Sequence, residues 1–195
     1  MKVIGITGGV GSGKSTILDE ISKLYNCRVL FSDLAAKELQ DKNRPCYEPL
    51  IRLLGEDVLD EDENIDKKKM SNKIFADKSL VKKVNDIIHP AVKEYILSEI
   101  DKENNKANID YFFIEAALLI ECGYKEIVDE MWYIFVNDDE RRKRLKASRG
   151  YTDLKIDQIL SNQLSDEEFR VNSDFIVDNS YSIEESIKQI TERLI

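Results

Sequence analysis

Histidine occurs once in these 195 residues, cysteine and proline three times each, and glycine only eight times. The three cysteines, Cys27, Cys46 and Cys122, stand far apart, and with His89 as the single imidazole they match no zinc-ligand spacing, which excludes a structural zinc site. No stretch approaches the ~20 apolar residues of a membrane span. The opening MKVIGITGGVGSGKST alternates apolar residues with glycines where a signal peptide would carry an apolar core. Basic residues are also in deficit: 29 Lys and Arg against 38 Asp and Glu give a formal charge of −9. That sign disfavours broad contact with nucleic-acid phosphates. These absences lead to the expectation of a reduced, cytoplasmic chain with no membrane or nucleic-acid partner. Its 42% apolar and 34% charged content suits one domain over residues 1–195.

The few glycines are unevenly spent. Gly5, Gly8, Gly9, Gly11 and Gly13 fall within nine residues, while Gly55, Gly123 and Gly150 are scattered. Glycine tolerates positive φ and lets a backbone approach a ligand closely, so the cluster marks a binding loop.

Around it, apolar runs of strand length alternate with polar helical stretches. Val3–Thr7, Arg28–Phe31, Tyr111–Ile114, Met131–Val136 and Asp174–Val177 read as five strands. Residues 15–25 carry Ile17, Leu18, Ile21 and Leu24 on one helical face, and a further helix begins at Leu34. Strands that are apolar nearly throughout indicate an α/β fold with a parallel sheet covered by helices on both faces. Between about residues 43 and 106 the strand pattern gives way to a charged helical insertion, with apolar pairs such as Ile74-Phe75 and Ile87-Ile88. Within it, residues 59–70, LDEDENIDKKKM, read as a solvated loop.

Gly8-Gly-Val-Gly-Ser-Gly13-Lys14-Ser15 matches G-x-x-x-x-G-K-[ST] between a strand and a helix, the context that distinguishes a phosphate loop from a chance match. In such a loop the backbone N–H groups of Gly11, Ser12, Gly13 and the helix start at Lys14, Ser15 and Thr16 converge on a nucleotide's phosphates. Lys14 reaches the β- and γ-oxygens, and the Ser15 hydroxyl is a ligand for Mg²⁺. The motifs of a GTPase are missing. Arg52, Ile120 and Ala147 precede the downstream glycines where D-x-x-G requires Asp, and Asn105-Lys-Ala-Asn108 is not N-K-x-D. Residues 111–119, YFFIEAALL, offer the single Glu115 where a remodelling ATPase has an acidic pair. A small-molecule kinase using ATP remains.

Such a kinase needs a group that orients or deprotonates the acceptor hydroxyl. Asp33, just past the second strand, is placed for that work, or else for capping the helix that follows. It also needs cations near the transferring phosphoryl group. Residues 141–149 hold six basic side chains and no acid. Followed by the Gly150 turn, they read as a lid over about residues 141–165, with Arg144 and Arg149 as the contacts and Arg141, Arg142 and Lys143 as solvated face. His89, directly before Pro90, reads as a hydrogen-bonding residue at a helix end.

These features, in this order, resemble the dephospho-CoA kinase family along nearly the whole chain. The resemblance rests on IGITGGVGSGKST, on Asp33, on Leu54-Gly55 through Ile65-Asp66, Ile74-Phe75-Ala76-Asp77 and Ile88-His89-Pro90. It continues with Leu118-Leu119-Ile120-Glu121, with residues 144–150, with Gln163 and with Asp174 to Asn179. Phe31 stands where the family has a further aspartate, Lys67 where arginine is common and Ala117 where proline is expected, and the lid carries one extra residue between its arginines. Lys67 lacks the planar fork of arginine. The resemblance implies a five-stranded P-loop kinase fold with a helical substrate-binding insertion and a lid. It implies ATP and Mg²⁺ as cofactors, and phosphorylation of the ribose 3′-hydroxyl of dephospho-CoA, the last step of coenzyme A synthesis. The catalytic residues would be Lys14, Asp33 and Arg144. Arg149 would join residues 11–16 on ATP, and Asp33, Lys67, His89, Leu118 and Glu121 would hold the small-molecule substrate. Two other readings stand beside it: a kinase of a different small acceptor, such as a nucleoside or shikimate, and a slow nucleotide-hydrolysing regulator.

Overall fold

The computed structural model describes residues 1–116 and 118–194. Ala117, one of the departures from the family pattern, lies outside the described residues. The chain divides into two compact units, Met1–Leu30 with Glu103–Ile195, and Phe31–Lys102.

The first unit is built on a sheet of β1 (Lys2–Thr7), β2 (Cys27–Phe31), β3 (Tyr111–Glu115), β4 (Glu130–Phe135) and β5 (Phe175–Asp178), in the order β2-β3-β1-β4-β5. The β1–β3, β1–β4 and β4–β5 pairs are parallel, with Ile4 opposite both Phe113 and Glu130, and Trp132 opposite Phe175. This is the expected α/β architecture. Parallel strands need both faces covered, and Ile4, Ile6, Phe112, Phe113, Trp132 and Ile134 are all fully buried. Aromatic rings link neighbouring strands: Phe113 to Trp132 at 6.0 Å and Trp132 to Phe175 at 5.2 Å between centroids, both edge-to-face.

Helix α1 (Lys14–Leu24) turns Ile17, Leu18 and Ile21 into this core. Leu24, expected on the same face, is 58% exposed, because the helix ends there and the chain turns out toward β2. The C-terminal helix α9 (Ile183–Leu194) packs on α1 and β5, and Tyr25 donates from its hydroxyl to Thr191 at 2.9 Å. Between β4 and β5 lie α6 (Asp138–Arg149), α7 (Asp153–Leu160) and α8 (Asp166–Val171). Each of the three starts at a side-chain cap, from Asn137, Thr152 and Ser165 respectively.

The second unit is helical: α2 (Ser32–Glu38), α3 (Tyr47–Leu54), α4 (Lys67–Ala76) and α5 (Ser79–Lys106), whose last residues cross into the first unit. Its core is formed by Cys46, Leu50, Leu54, Val58, Val92 and Ile96. Residues 59–70 are more ordered than a solvated loop. Leu59 and Ile65 form an antiparallel bridge, and Asp66 accepts from the backbone N–H groups of Lys68 and Lys69 to start α4 at Lys67. The sequence pattern missed this because the cap is a polar Asp66 and the bridge joins only two isolated apolar residues within a charged stretch. His89 and Pro90 sit in the interior of α5, not at an end. Proline removes one helical N–H, and the other backbone bonds of this 28-residue helix carry it past that point. Phe75, paired with Ile74 in the apolar pattern, is 84% exposed.

Candidate nucleotide-binding site

The loop between β1 and α1 has the geometry of an anion cradle. Gly13, the residue before α1, adopts φ 88°, and a Cβ there would lie 2.4 Å from Asn179 Nδ2, so this position requires glycine on both conformational and steric grounds. No side chain caps α1 and its first turn carries no acid, which leaves the N-terminal N–H groups and the positive end of the dipole to an incoming anion. The Ser12 hydroxyl is buried inside the loop and has no hydrogen-bond partner among the described residues.

Lys14 extends back across this loop. Its ammonium donates to the Gly8 carbonyl at 2.7 Å and stands 3.6 Å from a carboxylate oxygen of Glu115, at the end of β3. In the sequence Glu115 stands out only for lacking an acidic neighbour, yet the parallel register of β3 beside β1 delivers it to the loop lysine. Ser15 and Thr16 occupy the exposed first turn of α1. Among the described residues no cluster of three or more His, Cys, Asp or Glu side chains could hold a metal. The Ser15 hydroxyl at the open helix end is a hard oxygen donor of the kind Mg²⁺ takes together with phosphate oxygens and water, so the residues present fit that ion.

The basic helix α6 meets the loop at two arginines. Arg144 donates to Glu140 at 3.0 Å and to the Asn179 carbonyl at 2.9 Å, and its guanidinium comes within 3.4 Å of the Cβ position of Gly13. Arg141, expected on the solvated face, is partly buried against the loop instead. One guanidinium nitrogen lies 2.9 Å from the Cβ position of Gly9 and another donates to the Val136 carbonyl at 3.3 Å. Gln163, just beyond α7, accepts from the Val10 N–H at 3.0 Å. Beneath them the Tyr133 hydroxyl donates to Asp166 at 3.0 Å. Burial, helped by the Asp166 carboxylate, pushes this phenol up to about 12, so it remains a donor at neutral pH. Arg149 is exposed at the end of α6, with its guanidinium 5.9 Å from the centre of the Tyr151 ring.

Arg142 is not simply solvated either. It bonds Asp138 at 2.6 Å, Asp157 at 2.7 Å and Asp153 at 3.5 Å, tying α6 to α7. The Asp138 and Asp157 carboxylates hold its guanidinium ionised well above the usual range. Arg142→Ala is therefore expected to lower the melting temperature, more at low salt than at high, while turnover stays within a few-fold of the parent. Arg144→Ala should lower kcat/KM by roughly tenfold or more, because its guanidinium stands beside the phosphate loop and the Asn179 carbonyl. Steady-state kinetics and thermal melts of the two variants across salt concentrations check both outcomes.

Of the expected substrate contacts, Leu118 and Glu121 lie in the turn after β3 and are exposed. The other three belong to the second unit. Asp33 is exposed in the first turn of α2, whose N-cap is Phe31 with no side-chain cap, so the capping alternative finds no support. Lys67 is the exposed first residue of α4, and His89 is half-buried within α5.

Comparison with known proteins assigns this arrangement. A dephospho-CoA kinase of Carboxydothermus hydrogenoformans is 32% identical over 191 residues, covering 97% of this chain and 91% of that protein. Among solved structures, TT1252 from Thermus thermophilus superposes with a TM-score of 0.81 at 25% identity, covering 99% of this chain and 96% of that one. The dephospho-CoA kinase from Campylobacter jejuni shares the fold at a TM-score of 0.74 and 24% identity, over 99% of this chain and 98% of its own. The model of the dephospho-CoA kinase family matches residues 2–185, which include the phosphate loop, Asp33 and all of α6. With the loop geometry, the order of motifs and these relatives in agreement, the chain belongs to the dephospho-CoA kinase family.

Proposed function

We propose that this chain transfers the γ-phosphoryl group of ATP to the ribose 3′-hydroxyl of dephospho-CoA, giving coenzyme A and ADP. The observation that carries this reading is the family match over residues 2–185, which takes in both structural units and not the phosphate loop alone.

In this mechanism the loop N–H groups and the open start of α1 bind the β-phosphate. Lys14, held against Gly8 and Glu115, presents its ammonium to the β- and γ-oxygens and takes up the charge that builds as the phosphoryl group departs. Mg²⁺ held at Ser15 would supply further neutralisation of the β- and γ-oxygens. Asp33 orients the acceptor hydroxyl and receives its proton. Arg144 adds positive charge beside the loop, and Arg149 closes over ATP with the rest of residues 141–165. Lys67, His89, Leu118 and Glu121 bind the acceptor, Lys67 as a point charge without the bidentate fork of arginine. Because phosphoryl transfer passes through a loose transition state, positioning and electrostatics suffice and no covalent enzyme intermediate forms. The reaction is that of a cytoplasmic enzyme on a small soluble acceptor.

ADP release measured with dephospho-CoA, adenosine and shikimate as acceptors tests the proposal. Release should rise by orders of magnitude with dephospho-CoA alone. Equal release with every acceptor, or with none added, would favour the slow nucleotide hydrolase.

A further inference from the structure

Asn179, the first residue after β5, is buried and is joined to the phosphate loop from the far end of the sequence. Its side-chain N–H donates to the Ser12 carbonyl at 2.7 Å, across a separation of 167 residues. The same nitrogen fills the space that a Cβ on Gly13 would take, at 2.4 Å. The other end of the amide is fixed as well, since the fully buried Ser186 hydroxyl of α9 donates to Asn179 Oδ1 at 2.9 Å. An amide can be turned end for end at little steric cost, so a donor on its oxygen decides that its nitrogen faces the loop. The backbone of Asn179 is held too: its N–H donates to the Phe135 carbonyl at 2.8 Å, and its own carbonyl accepts from Arg144. One residue thus bonds the middle of the phosphate loop, the end of β4, the last helix and the α6 arginine.

We propose that Asn179 is a positioning residue of the nucleotide site. Its side-chain amide, oriented by Ser186, holds the Ser12–Gly13 backbone in the form that binds phosphate, while its main-chain carbonyl seats Arg144 beside the loop. The loop carbonyl of Ser12 would otherwise be free to rotate, and in a peptide flip a carbonyl oxygen replaces an N–H facing the anion. This inference rests on the nucleotide reading above, in which the loop binds ATP.

Calorimetric titration with ATP of the parent, Lys14→Ala, Asn179→Ala, Asn179→Asp and Ser186→Ala, together with thermal melts and separate KM values for the two substrates, tests it. Loss of one buried hydrogen bond to the loop should weaken ATP binding about tenfold in Asn179→Ala. Asn179→Asp should weaken it further, because a carboxylate oxygen then faces the Ser12 carbonyl and the bound phosphates. Ser186→Ala, which removes the orienting hydroxyl together with its longer contacts to the Asp178 and Ser182 carbonyls at 3.2 and 3.3 Å, should weaken ATP binding by roughly threefold, within the range of one neutral hydrogen bond. In each case KM for ATP rises while KM for dephospho-CoA stays at the parent value, a split that general loss of stability does not produce. If Asn179→Ala does not fold, Ser186→Ala decides alone. ATP affinity within experimental error of the parent in the folded variants, whatever the melting temperature, would overturn the assignment of Asn179. Parent protein that binds no ATP, or binds it as well after Lys14→Ala, would instead overturn the nucleotide reading, and this inference with it.

Discussion

Lys14→Ala will lower kcat by at least ~10²-fold, the usual effect of removing one preorganised charge from the transition state, and will leave the fold intact. The lysine lies across the loop, bonded to the Gly8 carbonyl and facing Glu115, and it takes no part in the apolar core formed by Ile17, Leu18 and Ile21 beneath it. Its removal leaves Glu115 without this cation beside the bound phosphates, so ATP affinity should fall together with kcat. Lys14→Arg is not a rescue. The guanidinium is wider than an ammonium and has to fit between a carbonyl at 2.7 Å and a carboxylate at 3.6 Å. Single-turnover kinetics beside a thermal melt give the answer. An unchanged melting temperature with near-normal turnover would remove Lys14 from the chemistry.

Asp33→Asn should reduce kcat by roughly 10²-fold or more, the scale of general-base assistance, with a nearly unchanged melting temperature. The structure sharpens this test. Because α2 has no side-chain cap and Asp33 lies in its exposed first turn, the substitution costs the helix only a favourable charge at its N-terminus, on the order of 0.3–1 kcal/mol. A large kinetic effect therefore cannot come from unfolding of α2. The amide keeps the size and one acceptor oxygen but cannot take a proton from the hydroxyl, so the KM values should move much less than kcat. Normal turnover by Asp33→Asn would end its assignment as the acceptor's base.

What was legible in the sequence was whatever is encoded locally. The phosphate loop is one contiguous run whose glycines serve the turn they occupy, and the strands declare themselves because a parallel sheet buried on both faces leaves no polar alternation to confuse with helix. Arg141 and Asn179 were not legible in the same way. Arg141 is one of six basic residues on a helix, and only the packing of α6 against the loop separates it from Lys143, which points to solvent with 77% of its side chain exposed. Asn179 follows an ordinary apolar strand, and its meaning depends on Ser12, 167 residues earlier, meeting it when β5 joins the sheet. Arg142 shows the opposite case. A cation that looked solvated is held by three aspartates, two of them on α7, a contact that periodicity within α6 cannot report. His89-Pro90 misled for a further reason: proline is the strongest local sign of a helix end, and the long helix α5 overrides it through packing on both sides of the residue.

In the proposed reaction, phosphate passes from ATP to one particular oxygen of a CoA precursor. Incubation of the protein with γ-labelled ATP and dephospho-CoA, followed by phosphorus NMR and mass spectrometry of the product, tests it most directly. Label is expected in a single new monoester on the ribose 3′-oxygen, formed in equal amount to ADP and lost with Lys14→Ala. Label appearing only as inorganic phosphate, or on any other oxygen of the acceptor, would contradict it.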